Sequence, residues 1–169
     1  GHFALVEMGR LGLLKCTVTQ NVDNLHRRAG SHDLLEIHGN RAWLRCIGCG
    51  NRRPREGFPL LGLPPRCPDC GGVIKADTVM FGEPIPPAVL QACWEQAERC
   101  DCMLLVGTSG SVNPAARLPL MARERGAALI EVNPHSTSLT AICDVALNGP
   151  SGELLPLLVE RLRPGRRTV

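Results

Sequence analysis

Apolar residues along the chain come in short runs that switch between two periods. Residues 2–12 carry Phe3, Ala4, Leu5, Val6 and Met8, a spacing that reads as the end of an amphipathic helix. Leu13 to Thr19 form a short β-prone run, and the polar loop Thr19-Gln20-Asn21-Val22-Asp23-Asn24 follows. Leu25 to Ala29 fit one or two helical turns ending at Gly30, and Leu34 to His38 a second strand stopped by Gly39. Further along, Pro86 and Pro87 open a helix whose apolar stripe is Val89, Leu90, Cys93, Trp94 and Ala97. Cys102 to Val106 is a continuous apolar strand that ends in Gly107-Thr108-Ser109-Gly110. Pro114 to Arg125 reads as helix and stops at Gly126. Ala127 to Val132 and Cys143 to Leu147 are further strands, ending at Asn133-Pro134 and Asn148-Gly149. Leu154, Leu155, Leu158 and Leu162 line one face of a last helix.

Near-continuous apolar strands alternating with helices predict an α/β, Rossmann-like parallel sheet covered on both faces. Such sheets bind ligands beyond the carboxyl ends of their strands. The polar tails Thr19-Gln20-Asn21, His38-Gly39, Gly107-Thr108-Ser109 and Asn133 should therefore share one rim and build one cleft. The stretch from about Arg41 to Lys75 breaks the pattern, being rich in Arg, Pro, Gly and Cys and poor in periodicity. The expected organisation is a Rossmann-like domain over 1–40 and 76–169, with a small module inserted at 41–75.

The inserted stretch holds the most specific chemistry. Nine cysteines are present, an odd number, and no secretory signal opens the chain, so a disulfide scaffold is disfavoured. Cys46-Ile47-Gly48-Cys49 and Cys67-Pro68-Asp69-Cys70 are two matched knuckles. Each can turn two thiolates toward one ion, and together they close a tetrahedral sulfur site suited to Zn²⁺. Four thiolates leave no open coordination position, which makes the metal structural. The other five cysteines, Cys16, Cys93, Cys100, Cys102 and Cys143, read as small core residues.

Composition narrows the partners. The net charge of +3 is too small to imply nucleic acid, and with aromatics at 3% base stacking is disfavoured as a binding mode. Basic clusters at Arg41 to Arg55 and Arg161 to Arg167 read as solvated surface. The apolar runs are too short for a membrane span, so a cytoplasmic protein is expected. The first residues resemble the middle of a helix, as though the chain starts inside a domain. No Gly-x-Gly-x-x-Gly occurs anywhere, so either the ligand is not a dinucleotide or that unit lies upstream of Gly1.

These residues together resemble the sirtuins. The match runs through Thr19-Gln20-Asn21-Val22-Asp23-Asn24-Leu25-His26 with Ala29-Gly30, then Glu36-Ile37-His38-Gly39, then the two Cys-x-x-Cys pairs. It continues through Phe81-Gly82-Glu83, Gly107-Thr108-Ser109 and Asn133, covering about Leu5 to Leu162. Sirtuins are NAD-dependent protein-lysine deacylases, so the resemblance implies NAD as co-substrate, an acyl-lysine protein or peptide as partner, and structural Zn²⁺ at Cys46, Cys49, Cys67 and Cys70. It implies that His38 is the general base acting on a ribose hydroxyl. It also implies that Gln20, Asn21 and Asp23 contact nicotinamide and its ribose, that Gly107, Thr108 and Ser109 hold the phosphate and ribose region, and that Asn133 holds the adenosine ribose. Val79, Phe81 and Gly82 would line an acyl-lysine channel, and residues near Val112 would pair with the substrate backbone.

The family's N-terminal unit, with its Gly-Ala-Gly loop, does not occur in these 169 residues. The resemblance therefore implies an incomplete sheet with an exposed edge or face, and weak or no NAD binding by this chain alone. Two other readings stay open: a noncatalytic ribbon and half-sheet that binds protein, and an ADP-ribosyl transferase on the same scaffold. His26 is expected to cap its short helix, Glu83 to make a loop contact and Asp101 to sit in a turn.

Overall fold

A computed structural model describes residues 1–59 and 61–163. The element order is α1 (His2–Arg10), β1 (Thr17–Thr19), α2 (Leu25–Ala29), β2 (Leu34–Glu36), β3 (Gly39–Cys46), β4 (Arg52–Pro54) and β5 (Ile74–Thr78). It continues with α3 (Pro87–Arg99), β6 (Cys102–Val106), α4 (Leu118–Glu124), β7 (Ala128–Asn133), β8 (Val145–Asn148) and α5 (Ser151–Leu162). The fold is α/β, as the alternation of strands and helices implies.

The strands of β6, β7 and β8 form one parallel sheet in that order, while β1 and β2 form a separate parallel pair. The single continuous sheet expected from the pattern is thus divided: β1 hydrogen-bonds only to β2, and β6 only to β7, among the described residues. The two pieces still share their core. Val18 of β1, Leu35 of β2 and Met103 of β6 pack against one cluster built on Ile37, Cys93, Ala97, Ala115 and Leu118. Successive strand residues point to opposite faces. Leu104, next to Met103, accordingly packs on the other side, against Ala4, Leu5 and Met8 of α1 and Leu155 and Val159 of α5. Helices α1 and α5 cover one face, α3 and α4 the other, so the strand interiors are buried from both directions.

The inserted stretch is more ordered than its composition suggests. Strands β3, β4 and β5 form an antiparallel sheet in the order β4-β3-β5. Gly39 does more than stop β2: with φ of 75° it turns the chain straight into β3, pairing with Thr78 of β5. The register between β3 and β5 slips between Asn40 and Leu44, which erases the strict alternation that would have marked the strand. Pro114 to Arg125 is also not one helix: a 3-10 turn at Ala115–Arg117 leads into α4. The basic cluster Arg161 to Arg167 lies outside the described residues from 164 onward.

Candidate functional site

The polar strand tails do converge. His38, just beyond β2, places Nδ1 3.3 Å from the backbone oxygen of Gln20, just beyond β1. A carbonyl can only accept, so this contact puts the ring proton on Nδ1 and leaves the lone pair on Nε2. The Gln20 side chain reaches across to the other sheet, donating from Nε2 to Thr108 Oγ1 at 3.2 Å. Asn133, the last residue of β7, donates from Nδ2 to the Thr108 carbonyl at 3.0 Å. Gly107 is tied to the same strand by its N–H on Val132 O at 3.0 Å. His38, Gln20, Thr108 and Asn133 thus form one connected rim. Asn21, Gly107 and Ser109 are exposed on it. Asp23 is turned to a local task, accepting the Leu25 N–H at 2.9 Å at the start of α2.

Behind the rim stands a carboxylate that pattern reading passed over. Glu131 is 3% exposed in the middle of β7 and accepts from the hydroxyls of Thr137 and Thr140. Those residues fold the loop after β7 back so that Ser138 Oγ donates to Ser109 O at 3.0 Å. A lone acid within the apolar run Ala127 to Val132 is the signal that could have revealed it. Replacing Glu131 with Ala strands two hydroxyls and should lower stability by about 1–3 kcal/mol. Urea unfolding checks this, and Glu131→Gln, which keeps an acceptor, should lose less.

A second buried polar knot flanks His38. Asn40, 1% exposed, donates to Asn24 Oδ1 at 2.8 Å and to Glu36, while its own oxygen accepts the Ala42 N–H at 2.8 Å. Arg27 grips Glu36 with two bonds of 3.0 and 2.8 Å. The imidazole at position 38 is therefore carried between two fixed neighbours. His26 does not cap α2 with its side chain; its ring packs edge-on against His2, centroids 4.6 Å apart.

The Val79 N–H donates to His38 O at 2.9 Å, which ties Val79 to the backbone of His38. Phe81 and Gly82 follow on an exposed turn, Phe81 with 96% of its surface free. Glu83 holds this turn, accepting from Lys75 and from the Met80 N–H at 3.0 Å. The Lys75 ammonium, with help from that amide, keeps the Glu83 carboxyl below the usual carboxylate range. Val112 is half-buried, its carbonyl accepting the Ala116 N–H at 2.9 Å.

At the far end of β3 the four knuckle cysteines come together. Cys46 and Cys67 are buried, Cys49 and Cys70 exposed, and all four sulfurs lie within 4.8 Å of one another. The Cys46–Cys70 and Cys49–Cys67 separations are 3.5 and 3.8 Å. A tetrahedron with Zn–S bonds of about 2.3 Å has edges of about 3.8 Å, so the four thiolates fit one Zn²⁺. Amide N–H groups of Cys49 and Gly48 point at the Cys46 sulfur from 3.5 and 3.4 Å. The Cys49 amide bond is the largest influence on that thiol and pulls it down to about 6, whereas burial and the neighbouring sulfurs push the Cys49 thiol up.

A family model described as the Sir2 family matches residues 1–114. The chain belongs to the Sir2 family. An NAD-dependent protein deacylase from Archaeoglobus fulgidus is 44% identical over 162 residues, covering 96% of this sirtuin chain and 66% of the relative. The solved structure of a Sir2 homologue in complex with NAD superimposes with a TM-score of 0.86 at 44% identity, covering 95% of this chain and 62% of the other. A Sir2 protein bound to a myristoylated histone peptide superimposes with a TM-score of 0.82 at 41% identity, covering 98% of this chain and 73% of that one. The sirtuin chain thus spans about two thirds of the length of these relatives.

Proposed function

We propose that this chain carries the catalytic base and the adenosine-facing rim of an NAD-dependent protein-lysine deacylase. With one water consumed, the reaction would yield free lysine, nicotinamide and O-acyl-ADP-ribose. The observation that supports this most is the join of His38, Gln20 and Thr108 across two sheets. The co-substrate supplies an electrophilic ribose carbon, which the acyl-lysine amide oxygen attacks as nicotinamide departs. His38 takes the proton of a ribose hydroxyl on Nε2, the nitrogen that the Gln20 carbonyl leaves free. Gln20, Asn21 and Asp23 orient nicotinamide and its ribose without adding more than one charge. Gly107, Thr108 and Ser109 face the phosphate and ribose region, and Asn133 the adenosine ribose. Val79, Phe81 and Gly82 guide the acyl-lysine, and Val112 pairs with its backbone.

We assign these tasks to a Rossmann-like part, 1–40 with 76–169, and metal holding to 41–75. Four thiolates poised for a metal suit a reducing, cytoplasmic setting. No helix of the described residues is long and apolar enough to cross a membrane. The test joins this chain to the N-terminal unit of the Archaeoglobus relative and follows nicotinamide release from NAD with an acetyl-lysine peptide. His38→Ala should lower the rate by about a hundredfold or more, with zinc content and circular dichroism unchanged. ADP-ribose left on protein would favour a transferase, and release unaffected by the substitution would defeat the reading.

A further inference from the structure

A second concave feature lies away from the rim, between α2 and the β3–β4 hairpin. It is an open cleft of about 720 Å³ whose lining includes Arg27, Arg28, Trp43, Pro54, Arg55 and Glu56. Trp43 and Pro54 are register partners on neighbouring strands and form an apolar floor. Three guanidinium groups surround it, but they are not equivalent. Arg27 is spent on Glu36 through its two bonds. Arg28 and Arg55 are exposed and have no carboxylate within ion-pair distance among the described residues. The one acid of the lining is Glu56.

We propose that this cleft docks an acidic segment of a partner protein, with one apolar side chain on the Trp43–Pro54 floor and flanking carboxylates on Arg28 and Arg55. Trp and Arg are the residue types that dominate binding hot spots, and here they occur together in a concave surface. Guanidinium forks match carboxylates in two-point geometry. Nucleic acid suits the cleft less well. Trp43 is its lone aromatic, so successive bases would find no second platform to stack on. A free small anion suits it less well again, because the two available arginines stand exposed on an open surface. The proposal uses neither His38 nor NAD and stands apart from the deacylase reading. The cleft is nevertheless physically tied to the rim, since Asn24 of its wall accepts the side-chain bond from Asn40, two residues beyond His38.

The experiment is calorimetric titration of the zinc-loaded 169-residue chain, without NAD, at low salt. The probe is a seven-residue peptide with Leu at the centre and Glu or Asp at the other six positions. Saturable binding should weaken about tenfold or more from low to high salt, as Debye screening requires. The double variant Arg28→Glu with Arg55→Glu should weaken binding by about tenfold or more. Glu56→Gln should strengthen it, and replacing the central Leu with Gly should weaken it. All three substituted positions are exposed, and retained zinc content with an unchanged circular dichroism spectrum confirms the fold. Three results would overturn the proposal: no saturable binding of the peptide, binding indifferent to the arginine reversal, or tighter binding of a ten-nucleotide single strand or of inorganic phosphate than of the peptide.

Discussion

Gly39→Ala is expected to abolish the native fold or lower its stability by about 4 kcal/mol or more, placing it among the rare severe single substitutions. A Cβ at position 39 would sit 1.7 Å from the backbone oxygen of Asp77 and 2.7 Å from its carbonyl carbon. Both are main-chain atoms of β5, so no side-chain rotation relieves the clash. Separating the strands would break the pairing of Gly39 with Thr78 and disturb Asp77, which is ion-paired with Arg45 and Arg52. Gly57→Ala separates this from backbone strain alone. Gly57 has a φ of 73°, close to the 75° of Gly39, but nothing lies within 4 Å of its added Cβ. Its replacement should cost about 1 kcal/mol, the penalty of a left-handed conformation for a residue with a Cβ. Denaturant unfolding of the two variants side by side should therefore give very different midpoints. Similar midpoints would mean that β3 and β5 are not packed as tightly as described.

Removal of the metal should be the larger perturbation still. One tightly held Zn²⁺ per chain is expected, and a strong chelator should unfold the β3–β4–β5 module. Its own core is small: Cys46, Cys67 and Ile74 are the buried residues, with Leu44 and Phe58 packed against them. Two of those three belong to the four-cysteine cluster that would hold the metal, so without the ion little apolar burial remains to oppose chain entropy. Structural zinc contributes about 10–16 kcal/mol in small modules, far more than such a core could. Cys67→Ser should reproduce the effect of chelation. Hydrogen exchange read by mass spectrometry should show lost protection over 39–54 and 66–78. Protection in β6, β7 and β8 should persist, because those strands have separate cores. Retained protection of the module after complete zinc removal would contradict this account.

How far the molecule was legible in its sequence depends on how local each signal is. The two Cys-x-x-Cys pairs are local twice over, and the pairing of the knuckles then needs no knowledge of the fold. The helical stripe of α3 and the apolar run of β6 are equally direct, because burial on one face or two leaves a simple period. The convergence of Gln20, His38, Thr108 and Asn133 followed from one topological rule about strand ends, and the geometry agrees with it. Strands β3 and β5 were hidden for a physical reason. Their contact is stabilised partly by charge, with Arg45 on Asp77 at 3.4 Å and on Glu83 at 3.6 Å, and the register slip removes the alternation. In the sequence Gly39 marks only the end of a strand, and the approach of the Asp77 carbonyl reveals why no other residue fits. Asn40 gave no signal at all, since a buried amide looks like any loop residue until its partners are seen. Glu131 is visible in the sequence as a charge in an apolar strand, which pattern matching tolerates and burial without partners does not.

The division between β1 and β6 has one more consequence. Each strand leaves a row of backbone donors and acceptors unmatched along one side among the described residues, and their carboxyl ends are bridged through Gln20 and Thr108. Such rows are templates for a further strand running in the same direction. A peptide bearing such a strand need not be covalently joined to the chain in order to pair with it.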